Sequence, residues 1–192
     1  NDFDLVCPSE YMFMKLIAEG RLQPLSESFF DTGREDNYYI RGVSDYIRNI
    51  FDTNTIDGEP WSRYAAGYMW GTTGIVYNPE VISKEEASHW AILADPKYKG
   101  QVTIKDNVRD SYFAALGILN EEELMKPDFI NSPDRLERIA ELMNRTDEDT
   151  VNKAESILKE MKENAYSFES DSGKADMVTG KVLANYQWSG DA

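Results

Sequence analysis

Short apolar runs that read as strands alternate along this chain with capped, amphipathic stretches that read as helices. That alternation limits the fold more than any other feature, because it argues for an α/β arrangement around a mostly parallel sheet. Residues 3–7 read as a buried strand, with Cys7 as a core filler. Ser9 is placed to cap a helix whose apolar face is Met12, Phe13, Leu16 and Ile17, closed by Gly20. Ser44 is placed to cap a second, with Tyr46, Ile47, Ile50 and Phe51 facing inward. Residues 52–59 are the most loop-like, and residues 64–77 look extended. Ser83 and Glu86 match a capping box. Residues 101–105 read as a short strand, and residues 110–120 as a helix with Phe113, Leu116 and Leu119 on one side. Ser132 and Pro133 open a helix with the stripe Leu136, Ile139, Leu142 and Met143. Thr146 and Asp149 open the next, which buries Val151, Ala154, Ile157, Leu158 and Met161. A short helix at 175–178 ends at Gly180, and 182–188 is a final strand. No internal repeat or low-complexity linker interrupts this order.

Charge decides the partners. Lysine and arginine number 20 against 35 acidic residues, a net charge of −15. Nucleic-acid backbones and anionic lipid surfaces are repelled by such a field, and a cationic ligand is favoured. The same charge also serves plain solubility. The apolar runs, such as Leu5-Val6-Cys7 and Ala114-Ala115-Leu116, fall far short of the roughly 18 residues a membrane span needs. No signal-peptide pattern opens the chain, which starts at Asn1 rather than at a methionine, so earlier removal of a leader stays open.

Most catalytic chemistry lacks its residues. One cysteine excludes an internal disulfide and a cysteine-rich zinc site. The one histidine, His89, reads as a partly exposed helix-end residue. Gly71-Thr72-Thr73-Gly74 lacks the lysine and the spacing of a phosphate loop. The acidic stretch from Asp52 to Gly58 fails as a calcium loop: its glycine falls one place late, and the twelfth position is Arg63. Asn144-Arg145-Thr146 is a glycosylation sequon of a kind that arises often by chance. No cofactor or metal is expected.

Four segments, in order, resemble the spermidine/putrescine-binding (polyamine) members of the extracytoplasmic solute-binding proteins of ABC transporters. Asp2-Phe3-Asp4-Leu5-Val6-Cys7-Pro8-Ser9-Glu10-Tyr11 resembles that family's strand-to-helix turn, and Met69-Trp70-Gly71-Thr72-Thr73-Gly74-Ile75 its crossover. Trp90 with Asp95-Pro96-Lys97-Tyr98-Lys99-Gly100 resembles a third family segment, and Gln187-Trp188-Ser189-Gly190-Asp191-Ala192 its strand end. The match covers essentially the whole chain and runs without a gap over 71–110.

The resemblance implies a two-lobe, periplasmic-binding-protein-like (type II) α/β fold with a ligand cleft between the lobes. Residues 1–71 would be a partial first lobe, leaving apolar surface uncovered, and 72–192 most of the second. It implies an internal fragment: the family's opening strand would precede Asn1 and its later crossovers would follow Ala192. It also implies an extracytoplasmic place, in the periplasm or at the cell surface as a lipoprotein. The partners implied are a small cationic polyamine and an ABC permease, with membrane contact only through the permease or a lipid anchor outside the fragment.

Polyamine recognition needs carboxylates for the ammonium groups and aromatic faces for the methylenes. Each cation–π contact is worth about 0.5–2 kcal/mol, and a hydrogen bond to a charged group about 1.5–3 kcal/mol. A few of these, less the ordering cost, give micromolar affinity, about −8 kcal/mol. By resemblance the ligand contacts are Ser9, Tyr11, Asn107, Asp110, Ser170 and Trp188. Each also has a structural reading: Ser9 and Ser170 as helix caps, Tyr11 and Trp188 as packing, and Asp110 as a helix N-terminal charge. Asp110 stands for a family glutamate and is one methylene shorter. Asn107 stands where the family carries an aspartate, and an amide accepts a hydrogen bond without neutralising an ammonium. That departure motivates a second reading, another small organic cation or amine-containing solute. An enzyme using Asp106 and Asp110 as a carboxylate pair is a third reading. A pure interaction domain is a fourth.

Overall fold

The structure, a computed structural model, describes residues 3–170 and 172–192. Asp2, which belongs to a segment quoted above, lies outside the described residues. The chain divides into two units, Asn1–Trp70 and Gly71–Ala192.

The first unit holds helices α1 (Glu10–Ala18), α2 (Tyr38–Gly42) and α3 (Asp45–Thr53) and a small hairpin, β1 (Thr55–Ile56) with β2 (Glu59–Pro60). The hairpin corrects the loop reading of residues 52–59. Asp57 and Gly58 both take positive φ, 51° and 84°, as a tight two-residue turn between twisted strands requires. Ser44 caps α3, its hydroxyl accepting from the Ile47 amide at 3.3 Å. Ser9 occupies the cap position of α1 without a capping side-chain bond; its carbonyl alone takes the amides of Met12 and Phe13. Gly20, at φ 63°, ends α1 as expected. The unit is held by Phe13, Phe51 and Trp61, with ring centroids 5.1–6.0 Å apart.

Two expectations fail in this unit. Residues 3–7 form no strand, and Cys7 is exposed rather than a core filler. A strand needs a neighbouring ladder, and no described residue pairs with this segment. Tyr46 is also exposed, tilted against Trp70 at 5.8 Å instead of facing inward. The apolar surface expected here is indeed open: Phe3, Leu5, Tyr38, Tyr68, Met69 and Trp70 are 66–89% exposed.

The second unit runs β3 (Thr73–Tyr77), α4 (Lys84–Ala87), β4 (Val102–Lys105), α5 (Val108–Leu119), α6 (Glu121–Leu124), α7 (Pro127–Ile130), α8 (Arg135–Met143), α9 (Glu148–Asn164), β5 (Ser167–Glu169), α10 (Gly173–Val178) and β6 (Ala184–Trp188). The sheet order is β3-β6-β4-β5. The β6–β4 and β4–β5 ladders are parallel, and β3 runs antiparallel to β6. The chain is thus α/β, with the expected parallel core and one antiparallel edge. The extended reading of 64–77 holds only for β3, and β5 was missed because three residues carry too little period to detect.

Side-chain alternation gives the sheet two unlike faces. Val102, Ile104, Ala184 and Tyr186 point into the main core with Ile92, Leu93, Tyr98, Ala114, Ala115, Ala154 and Met161. The small residues at 114, 115 and 154 suit close packing of α5 on α9. Burying each Ile or Leu there is worth about 1.5–3 kcal/mol. Thr103, Lys105, Glu169, Asn185 and Gln187 are buried on the opposite face, beside α10.

Helix starts differ from expectation by a residue or two, with consequences for burial. Asp147, not Thr146, caps α9: its carboxylate accepts from the Thr150 amide at 3.0 Å and the Thr150 hydroxyl at 2.8 Å. The buried stripe therefore runs Thr150, Ala154, Met161, and Val151 turns outward. Helix α8 begins at Arg135, since the Ser132 hydroxyl is bonded to the Asp134 carboxylate rather than to a helix amide, and Leu136 is exposed. On α5 Leu116 is buried as expected, together with Ser111, Ala114, Ala115 and Gly117, whereas Phe113 is exposed. The capping box of Ser83 and Glu86 on α4 is present as expected.

Two outcomes follow. A Cβ at Gly117 would lie 2.6 Å from Cδ1 of Trp90, whose ring is wedged against Phe113 and Tyr186. Gly117→Ala gains about 1 kcal/mol of helix propensity but overpacks a rigid ring at about 1–3 kcal/mol. A net loss of stability in urea is expected, and a gain would contradict the packing. The Asp147 carboxyl is held down at about 2, first by the Thr150 hydroxyl and then by its amide. Its contribution is complete above the ordinary carboxylate range and is lost as pH falls toward 2. Asp147→Ala should therefore remove part of the acid dependence of the melting temperature between about pH 4 and 2. Parallel acid curves for the two proteins would refute that.

Candidate functional site

The parallel strands β4, β5 and β6 all end at one edge of the sheet, and in open α/β sheets that carboxyl edge is where ligands bind. Four sequence-predicted residues sit there. Asn107 and Asp110 follow β4, Ser170 follows β5, and Trp188 ends β6. β5 and β6 flank β4, so these residues follow three neighbouring strands.

Trp188 is placed by the β3–β6 ladder, opposite Thr73. Just beyond it, the Ser189 amide donates to Thr72 O at 2.7 Å, and the Ser189 hydroxyl accepts from the Thr72 amide at 3.1 Å. Gly71 leaves room for the Ser189 hydroxyl, since a Cβ there would meet Ser189 Oγ at 3.1 Å, while Trp188 Cε3 at 3.7 Å would be in ordinary contact. The ring is 40% exposed, and its edge is neither a sealed core nor a free surface.

Two residues before it on the same face lies Tyr186. Its hydroxyl is 3.3 Å from Thr73 Oγ1, and its ring meets Trp90 edge-on at 5.0 Å. Asp110, in the first turn of α5, is close enough for its charge to act on that phenol. Burial first, and Asp110 second among the raising causes, push the Tyr186 phenol up to about 12, against the pull of the Thr73 bond. Asp110 thus acts by its charge on the Tyr186 phenol, and Trp188 follows Tyr186 on the same face of β6. Such a set can hold a cation and an attached apolar chain.

Asn107 does different work. Its Oδ1 accepts from the amides of Arg109 (2.9 Å) and Asp110 (3.3 Å), capping α5. The carboxamide therefore fixes where Asp110 begins its helix. Asp106 and Asn107 line an open groove of about 360 Å³ beside Ser111, Leu158, Lys159 and Phe168. Asp110 is not among this groove's lining residues. Ser170 is exposed, and its carbonyl accepts from Lys105 Nζ at 2.7 Å. Ser9 and Tyr11 belong to the first unit, at the start of α1; Ser9 is exposed and Tyr11 is 39% exposed. His89 follows α4 and pairs through Nδ1 with Glu121, a partly exposed helix-end histidine as read from the sequence.

Beneath the edge lies a polar network that sequence reasoning did not single out. Lys105 Nζ is 3.7 Å from Glu169 Oε1, with both side chains enclosed at 4% and 3% exposure. Glu169 Oε2 accepts from the Gly173 amide at 2.9 Å, and Oε1 from Asn185 Nδ2 at 3.3 Å. Asn185 Nδ2 also donates to Thr103 Oγ1. A Cβ at Gly173 would overlap both Asn185 and Glu169. The available signal was polar residues alternating through two apolar strands: Thr103 and Lys105 in one, Asn185 and Gln187 in the other. Among the described residues, no three His, Cys, Asp or Glu side chains gather as a metal ion would need, and no helix is long and apolar enough to cross a membrane.

The shifted phenol gives a test. Stability credited to neutral Tyr186 is complete below pH 10 and falls as pH rises toward 12. In an absorbance titration, Tyr186→Phe should delete the last tyrosine transition. If that transition survives, the burial and charge assigned to Tyr186 are wrong.

A family model described as bacterial extracellular solute-binding protein matches residues 4–192. The spermidine/putrescine-binding periplasmic protein of Escherichia coli K12 is 26% identical over 190 residues, covering 99% of this chain and 45% of that protein. Spermidine/putrescine-binding periplasmic protein 1 of Haemophilus influenzae is 22% identical over 188 residues, covering 98% and 43%. The chain therefore spans about half the length of the curated relatives it matches. Their names are those of binding proteins, not enzymes, which removes the support for a catalytic Asp106–Asp110 pair. Among solved structures, a spermidine/putrescine ABC transporter substrate-binding protein from Streptococcus pneumoniae aligns at TM-score 0.63 and 25% identity, over 96% of this chain and 47% of its own. A Listeria monocytogenes protein described as a putative spermidine/putrescine ABC transporter aligns at 0.71 and 23%, over 98% and 48%, a likeness of fold. With a family model matching residues 4–192, nearly the whole chain, the chain belongs to the bacterial extracellular solute-binding proteins.

Proposed function

We propose that this chain is part of a solute-binding protein that holds a small organic cation of the putrescine/spermidine class and hands it to an ABC transporter permease outside the cytoplasm. This reading is supported by the ladder that sets Trp188 at the end of β6, two residues after Tyr186, and by the charge of Asp110 acting on the Tyr186 phenol from the first turn of α5. A carboxylate there neutralises an ammonium group, and the half-exposed indole offers a face to methylenes and charge together. The binding-protein names of the relatives and the net charge of −15 support a cationic ligand. No bond is made or broken in the ligand.

In this reading residues 1–71 belong to a first lobe and 72–192 to a second, and ligand is trapped as the lobes close. Contacts to both lobes at once favour the closed state. Asp110 binds an ammonium, Trp188 stacks on the chain, Ser170 adds a hydroxyl, and Asn107 contributes chiefly by capping α5. Ser9 and Tyr11 supply contacts from the first lobe.

One observation favours a variant of this ligand. The Asn107 oxygen is already taken by two backbone amides, so its side chain offers a ligand only N–H donors. An ammonium group has no acceptor to meet them. An amine that also carries a hydroxyl or carbonyl would use that donor.

Calorimetry on the full-length protein tests both forms. Micromolar binding of putrescine or spermidine is expected. Asp110→Asn and Trp188→Ala should each weaken it at least about tenfold, about 1.4 kcal/mol. Heat with a hydroxylated or carbonyl-bearing amine alone selects the variant reading. Absence of heat and of thermal shift with every amine would end the proposal.

A further inference from the structure

Among the described ion pairs, Lys105–Glu169 is the one with both side chains enclosed. Removing two charges from water costs more than their attraction returns unless the remaining valences are filled, so such a pair is a poor device for stability alone. A lysine under an edge read as binding a cation also needs a reason. The bonds supply one. Lys105 is the last residue of β4 and Glu169 the last of β5, and they stand in register. Lys105 Nζ donates to Ser170 O at 2.7 Å. The Glu169 carbonyl accepts from the Asp106 amide at 2.9 Å, and its carboxylate from the Gly173 amide at 2.9 Å. Every described chain segment that leaves the sheet at β4 and β5 is therefore tied to this one pair.

We propose that Lys105 and Glu169 are positioning residues of the binding edge, fixing where the chain leaves β4 toward Asn107 and Asp110 and where it leaves β5 at Ser170. Glu169 cancels the lysine charge, so the edge keeps its attraction for cations while gaining a rigid base. Asn185, held between Glu169 and Thr103, locks the pair to the central strand. This inference rests on the reading that the edge holds a small cation, and its test separates the two.

Lys105→Met alone would strand a buried carboxylate, so the informative variant is Lys105→Met combined with Glu169→Gln in the full-length protein. Three quantities are read: melting temperature without ligand, putrescine affinity, and amide hydrogen exchange at Asp106 and Gly173. A melting temperature within a few degrees of wild type, exchange at those two amides faster by about tenfold, and affinity weaker by about tenfold or more establish positioning. Unchanged exchange and affinity in the double variant overturn it. So does an affinity that falls only in proportion to a general loss of stability. Should the double variant fail to fold, wild-type exchange decides: the two amides must be as protected as those within β4, and exchange at the rate of exposed amides refutes the proposal. If the wild type binds no polyamine, the functional reading fails, and the exchange comparison still judges the pair.

Discussion

Strand β6 has to satisfy two opposite environments, and the rest of the second unit follows from how it does so. It pairs with β3 over Ala184–Trp188 and with β4 at Ala184 and Asn185, and its side chains alternate between faces. Ala184 and Tyr186 join the apolar core, while Asn185 and Gln187 enter a buried polar layer. A buried polar layer persists only if its groups are partnered. Thr103, Lys105, Glu169, Asn185 and the Gly173 amide largely partner one another. Packing on one face and hydrogen bonding on the other leave β6 one register, and that register delivers Trp188 to the carboxyl edge.

The same constraint accounts for the division of labour at the edge. Asp110 is presented by a helix whose start is set by the Asn107 cap, and that helix lies on the apolar face. Ser170 emerges over the polar layer and is held through its carbonyl. The first unit is built differently, around a few stacked aromatic rings with much apolar surface still open.

The sequence made the α/β alternation legible because periods of 2 and 3.6 persist through β4, α5, α9 and β6. Caps were legible wherever one serine and one glutamate decide them, as at Ser83 and Glu86. Reading failed where tertiary context decides. Residues 3–7 have the composition of a strand but no pairing partner among the described residues, and Cys7 is exposed. Asp147 outcompeted Thr146 as a cap by accepting two bonds from Thr150, which turned Val151 outward. The candidate edge was legible through family resemblance at Asp110, Ser170 and Trp188. Tyr186, Lys105 and Glu169 were not, because nothing local distinguishes a buried tyrosine or charge that faces a site from one that merely fills space.

The central claim is that Asp110 and Trp188 form one cation-binding surface at the end of the parallel strands. A crystal structure of the full-length protein with putrescine tests it most directly. The account predicts an ammonium nitrogen within hydrogen-bond distance of the Asp110 carboxylate, and the methylene chain lying on the Trp188 indole. A ligand bound with both of these side chains out of contact would contradict it.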